Sequence, residues 1–370
     1  MMTKSQSTYA KSGVNYQELD QVKVLAQGAA AETSGNLANF GGVEIEASRG
    51  ESAYVWEEGD VYRSLVIEGL GTKNLVADAM RKVTGRTYYD ALARDTVAMI
   101  VNDLIVVGAM PQVVNAYFAV GDSAWTTDRE RAADLVNGWA AACQEIGAVW
   151  GGGETPALKG IINPSAVDLG GSAVGVINPK QNLVLGDKLA AGDAIVLIES
   201  SGIHANGISL VRKLADENPG LYEQKLPDGR LFGEAILTPT HLYVNLVRNI
   251  LQAGVQPHYM ANITGHGWRK IMRATADFTY RLDKIMPIQP EFDLIQKLSG
   301  MDGKEMYATF NVGAGFAIFV SEKDAPRVIK IAAEQGLSAV VAGRVETGQK
   351  RVIIEPQNIT FGGETLEVRK

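Results

Sequence analysis

Apolar residues recur at helical spacing in some stretches of this chain and alternate with polar ones in others. Helical spacing predicts helices over Asp20 to Ala31, Asn74 to Val83, Tyr89 to Val107 and Thr127 to Ile146. Alternation and short apolar runs predict strands at Val43 to Ala47, Ala53 to Glu57, Tyr62 to Ile67, Val113 to Val120 and Gly171 to Ile177, with a short buried strand at Ala148 to Trp150. A polar, Pro-containing break, Asn178-Pro179-Lys180-Gln181-Asn182, follows. The pattern then restarts. Strands are expected at Ala194 to Ile198, Tyr259 to Ile263, Gly313 to Val320, Ala339 to Val345 and Val352 to Glu355. Helices are expected at Gly207 to Ala215, Pro239 to Leu251 and Ala325 to Gln335. Each half mixes sheet and helix, which predicts an α/β (α+β) fold of two domains, residues 1–178 and 179–370. No sequence repeat relates the halves.

The length supports that division, because 370 residues exceed one ordinary core. With 46% hydrophobic and 21% charged residues the balance is globular. The formal net charge of -7 argues against a nucleic-acid-binding surface, which needs clustered Lys and Arg. It leaves room for a locally positive pocket that holds phosphorylated ligands. The single cysteine, Cys143, has no disulfide partner and is read as a small core residue of its helix. Without a signal peptide or a membrane-length apolar run, a soluble cytoplasmic protein is expected.

The candidate chemistry gathers where rigid elements meet glycines. Glu68 ends an apolar strand and opens Gly69-Leu70-Gly71-Thr72-Lys73. Asp95 and Asp103 lie eight residues apart on one predicted helix, nearly on one face, and Asn102 adjoins Asp103. Glu154 follows three glycines. Carboxylates held on rigid elements are how Mg²⁺ is fixed against phosphates, so Glu68, Asp95, Asp103 and Glu154 are candidate metal ligands. Three junctions join a strand to a helix through glycine: Gly69 to Lys73, Ser200-Ser201-Gly202-Ile203-His204-Ala205-Asn206-Gly207, and Thr264-Gly265-His266-Gly267. Backbone N–H groups at such junctions suit anions, and three of them suggest a ligand with several phosphates. Asn206 reads as an N-cap, and His204 as a proton carrier, a phosphate donor or a polar loop residue. Gly362-Gly363-Glu364-Thr365 repeats the tetrapeptide at Gly152, but it lies between Ile359-Thr360-Phe361 and Leu366-Glu367-Val368 and reads as a hairpin turn.

These blocks, taken in order, resemble the aminoimidazole ribonucleotide synthetase family. They are Tyr9, Ser12 to Asn15, Gly69 to Lys73, Asp95, Asn102-Asp103, Gly152 to Thr155 and Asp168 in the first half. In the second they are Ser200 to Gly202, His204, Asn206-Gly207, Ser209 to Lys213, Ile263 to Gly265, Met306-Tyr307 and Thr309 to Asn311. The resemblance implies a homodimer built on the first domain, which also binds ATP. It implies that MgATP activates the formyl oxygen of formylglycinamidine ribonucleotide, after which an amine closes the ring and phosphate leaves. It further implies that His204, Lys73 and Asp95 act in the chemistry. Gly69, Gly71, Thr72, Lys73, Asn102, Thr155, Ser201, Gly202, Asn206, Gly207, Thr264 and Gly265 would then contact the nucleotide and phosphates. No nucleic-acid or membrane partner is implied.

Two departures stand out. The family usually has Asp where this chain has Glu68, so the carboxylate sits one methylene further out. It tends to have His-Ile-Thr-Gly-Gly-Gly where this chain has Asn262-Ile263-Thr264-Gly265-His266-Gly267. Asn carries no proton as His does, and His266 offers an imidazole four residues away. Two other readings compete: a phosphotransferase resembling thiamine-monophosphate kinase or selenophosphate synthetase, and a nucleotide-binding subunit without catalysis.

Overall fold

The computed structural model describes residues 16–366. Tyr9 and Ser12 to Asn15 of the resemblance, and Glu367-Val368 of the expected terminal hairpin, lie outside them. The first half is built from β1 Gly42–Glu44, β2 Tyr54–Glu58, β3 Val61–Gly69, β4 Met110–Val120, β5 Val149–Glu154 and β6 Val167–Ile177. Its helices are α1 Tyr16–Ala31, α2 Lys73–Thr84, α3 Tyr89–Ile105 and α4 Arg129–Ile146. The strands form one sheet in the order β1-β2-β3-β6-β4-β5, antiparallel except between β4 and β5. Helix α3 packs on this sheet through Val97, Ile100, Val101 and Leu104, all fully buried. The other face carries Leu65, Ile67 and Tyr117, which are exposed.

The second half comprises β7 Ala194–Glu199, β8 Tyr259–Asn262, β9 Phe278–Leu282, β10 Ala314–Val320, β11 Ala339–Thr347, β12 Arg351–Ile354 and β13 Ile359–Gly362. Its helices are α5 Ile208–Glu217, α6 Phe232–Ile236, α7 Val244–Gln252, α8 Pro290–Ser299, α9 Gly303–Thr309 and α10 Ala325–Glu334. The sheet order is β13-β12-β9-β11-β7-β10-β8, with only β12 and β9 parallel. The apolar run of β7 is buried from Ala194 to Ile198, as a central strand between β10 and β11 requires.

Four local expectations change. The strand read as short and buried at Ala148 to Trp150 is β5, an edge strand whose residues are mostly exposed. The helix expected from Pro239 begins at Val244. Before it, Asp95 Oδ1 takes the Thr240 N–H at 2.7 Å and Asn102 Oδ1 takes the Tyr243 N–H at 3.0 Å. Asn206 is not the N-cap of α5. Gly207 is, at φ 79°, and a Cβ there would meet the Phe310 ring at 2.0 Å. Finally, β13 pairs with β12, and Gly363–Thr365 forms a single 3-10 turn beyond it. Cys143 is buried in α4, where desolvation pushes its thiol up to about 11, consistent with an inert core residue. No helix among the described residues is long and apolar enough to cross a membrane.

Candidate active site

The polar residues of α3 define the seam between the halves. A helix buried on all sides must satisfy its polar groups with protein partners. Asp95, fully buried, accepts from both the N–H and the hydroxyl of Thr240 and lies 2.6 Å from Lys73 Nζ. Lys73, also fully buried, donates to the His204 carbonyl at 2.7 Å and the Thr238 carbonyl at 3.3 Å. Asn102 donates to the His241 carbonyl at 2.8 Å. Asp103 Oδ1 accepts from Asn262 Nδ2 at 2.6 Å. One helix face therefore bolts the first half to the second.

Beside these bolts a cavity of about 600 Å³ opens along the seam. Its walls bring together Glu68 from β3, Asp103 from α3, and Asn206, Thr264, Gly265 and His266 from two glycine loops of the second half. Lys270, Arg273 and Arg49 complete it with positive charge. Glu68 is pushed up to about 7, by burial first and then by the Asp103 carboxylate. Burial lowers Lys270, while Asp103 and Glu68 pull it the other way. Its ammonium donates to the Thr264 hydroxyl. Arg273 is braced by the Gly50 carbonyl at 2.7 Å and by Ser52 Oγ at 2.8 Å. The buried Nδ2 of Asn206 has no hydrogen-bond partner, which leaves a donor for a ligand acceptor.

Acids and cations lining one cavity suit a metal-bound polyphosphate. Glu68 and Asp103 repel each other without a cation, and Mg²⁺ is commonly held by one or two carboxylates with phosphate oxygens completing the shell. Those two residues fit a shared ion of this kind. No group of three or more His, Cys, Asp or Glu suited to a metal occurs among the described residues, so an all-protein cage is not offered.

The remaining sequence candidates fall elsewhere. Asp95 and Lys73 are sealed in their ion pair and do not line the cavity. Asp95 and Asp103 both face the second half, but against separate partners. Glu154 and Thr155 are exposed at the end of edge strand β5. Gly69, Gly71 and Thr72 flank the seam without lining the cavity, and the buried Thr72 hydroxyl lacks a partner. Ser201 donates its hydroxyl to the Pro239 carbonyl, and neither Gly202 nor Gly207 lines the cavity. His204 is 2% exposed, its Nε2 accepts the Ser201 N–H at 3.2 Å, and its ring lies 6.4 Å from that of Tyr243. The ring turns inward and does not reach the cavity. His266 does reach it, at φ 70°, a left-handed conformation that costs a non-glycine residue roughly 1 kcal/mol. Sequence reasoning passed over Lys270 and Arg273. Their signal was two cations three residues apart, just beyond a glycine loop.

Burial holds His204 well below 6.5, with His241 and Lys73 acting in the same direction. The unfolded chain binds a proton at this ring as pH falls through 6.5, and the folded protein does not, so this contribution destabilises the fold below that pH. The raised Glu68 works in the opposite sense, so the informative quantity is a difference between variants. Wild type should lose stability relative to His204→Gln as pH drops below 6.5, by up to about 1.4 kcal/mol per pH unit. Denaturant titrations of both proteins at pH 8, 6 and 5 check this. A constant gap would place the ring in water.

Residues 59–177 match the family described as AIR synthase related protein, N-terminal domain, and residues 190–355 match its C-terminal domain. The chain belongs to the AIR synthase related family. It is 34% identical over 361 residues to a phosphoribosylformylglycinamidine cyclo-ligase of Methanococcus maripaludis, covering 95% of this chain and 98% of that one. A cyclo-ligase of Clostridium kluyveri is 36% identical over 355 residues, covering 94% and 99%. Among solved structures, a ThiL protein complexed with AMPPCP and TMP aligns with a TM-score of 0.57 at 16% identity, covering 84% of this chain and 89% of that one. The hydrogenase maturation protein HypE in complex with ATP aligns at 0.54 and 17% identity, covering 73% and 78%. At these identities the structures share the fold. The α/β (α+β) architecture of two sheets with helices is that of the AIR synthase family.

Proposed function

We propose that this chain uses ATP to close the imidazole ring of formylglycinamidine ribonucleotide, giving 5-aminoimidazole ribonucleotide, ADP and phosphate in purine biosynthesis. The observation that carries the reading is the seam cavity, where Glu68 and Asp103 face Lys270 and Arg273. The near full-length likeness to proteins named cyclo-ligases supports it.

Glu68 and Asp103 would hold Mg²⁺, which when bound draws negative charge from the phosphates. Lys270 lines the cavity as a cation for the phosphoryl group in transfer, Arg273 adds positive charge from its place beside Glu51, and Asn206 Nδ2 can donate to a phosphate or ribose oxygen. Asn262 keeps the Asp103 carboxylate oriented with a neutral donor. Lys73, Asp95 and Asn102 keep the two walls in register and contribute positioning.

Incubating the protein with formylglycinamidine ribonucleotide and MgATP, and following ADP and the aminoimidazole product together, tests the reading. Equal amounts of both support it. ADP without the ring product would favour another phosphotransferase, and no ADP would favour a subunit without catalysis.

We also propose a cytoplasmic homodimer formed through the bare face of the first sheet. Among the described residues the helices packed on this sheet lie on its other face, and Ile67 is 78% exposed and Leu65 43%. Sedimentation at micromolar concentration should give twice the chain mass, and Ile67→Asp should give the single mass. A wild-type monomer would contradict this assembly.

A further inference from the structure

His266 occupies a conformation that glycine adopts more easily, between two glycines. The turn is fixed by its surroundings. Gly267 packs so tightly that a Cβ there would lie 2.2 Å from the Tyr307 carbonyl oxygen. Arg269 Nε donates to the His266 carbonyl at 3.0 Å, while its other nitrogens hold the carbonyls of Thr365 at 3.1 Å and Ala308 at 2.8 Å. A rigid, strained turn thus delivers one side chain to the cavity wall, where it is 7% exposed.

The chain has four histidines. Of these only His266 lines the cavity. His204 turns away into the Ser201 N–H, and His258 Nδ1 pairs with Asp193 at 2.8 Å. An imidazole serving the reacting atoms in this cavity must therefore come from the Thr264 to Gly267 turn.

We propose that His266 is the proton-transferring residue of ring closure. The inference rests on the cyclo-ligase reading above. Once the formyl oxygen carries the phosphoryl group and ADP has left, the substrate amine attacks the formyl carbon. The new N–C bond forms, the C–O bond to phosphate breaks, and the oxygen departs with the electron pair. The attacking nitrogen must shed a proton. The His266 imidazole takes it and returns it to the departing phosphate, so the ring ends neutral and no further reactant is consumed.

His266→Gly relieves the left-handed strain and leaves a hole of imidazole size. It should retain or exceed the wild-type Tm, keep KM for ATP within about twofold, and lower kcat on the order of 10²-fold. Imidazole added to the buffer should restore part of the lost turnover. His266→Asn, which also tolerates this conformation, should show the same loss and little rescue. Wild-type kcat in the glycine variant, a loss confined to KM for ATP, or a loss that imidazole does not repair would each overturn the proposal. Absence of aminoimidazole product from the wild type would instead remove the cyclo-ligase reading, and this role with it. The two failures are distinguished before any variant is compared.

Discussion

Asp103→Asn is expected to lower kcat/KM for MgATP on the order of 10³-fold while leaving the fold in place. Asp103 is 5% exposed, sits on the rigid helix α3 and receives a 2.6 Å hydrogen bond from Asn262. An asparagine at 103 offers its carbonyl oxygen to that same donor, so packing and orientation survive. What disappears is the negative charge beside Glu68. Burial first, and then the Asp103 charge, raise Glu68 to about 7, so the two carboxylates repel each other across the cavity. Removing one of them should ease Glu68 toward ionisation, yet leave the ion on ATP with a single carboxylate in place of two. Steady-state rates across a magnesium titration, with a thermal melt beside them, make the measurement. Raising magnesium should recover only part of the loss, and Tm should move by no more than a few degrees. Unchanged turnover at every magnesium concentration would remove Asp103 from the site.

Much of this architecture was legible because periodicity reports burial. The α3 pattern gave its limits to within two residues at one end, and the apolar run Ala194 to Ile198 read as a strand is β7, buried along that run. Glycine junctions pointed to Asn206, Thr264 and Gly265, which do line the cavity. What a single sequence cannot show is which polar residue faces which partner across a long chain separation. Asp95 and Asp103 look alike on one helix. Thr240, 145 residues away, captures Asp95, while the cavity takes Asp103. The same contacts fall just before α7, which begins at Val244. The two loop histidines pose the same ambiguity. The His204 ring accepts the Ser201 N–H and stays clear of the cavity, whereas His266, in a left-handed turn, lines its wall. The two departures, Glu68 and the Asn262 to Gly267 stretch, lie almost 200 residues apart in sequence. In space Glu68 and Asn262 meet at Asp103, and His266 lines the same cavity. They alter the same part of the seam from both halves.

Lys73→Met should be the most destabilising single change at the seam. Lys73 and Asp95 are both fully buried and lie 2.6 Å apart. Asp95 Oδ2 meets the ammonium off the axis of a good hydrogen bond, while its Oδ1 is well satisfied by Thr240. Forming such a pair yields little net stability, because desolving two charges offsets their attraction. Breaking it is different. Methionine fills the volume but strands the Asp95 charge in a dry interface and deprives the His204 and Thr238 carbonyls of their donor. The expected cost is about 3–5 kcal/mol. At roughly 2–4 °C per kcal/mol for units of this size, Tm should fall by about 10 °C. Adding Asp95→Asn removes the stranded charge and keeps an acceptor for Thr240, so the double variant should regain more than half of the loss. Calorimetry of the wild type, both single variants and the double gives the coupling directly. If Lys73 instead acts on the substrate, Lys73→Met would melt with the wild type and lose turnover alone. That result would break the seam bolt proposed for Lys73 and return it to the chemistry.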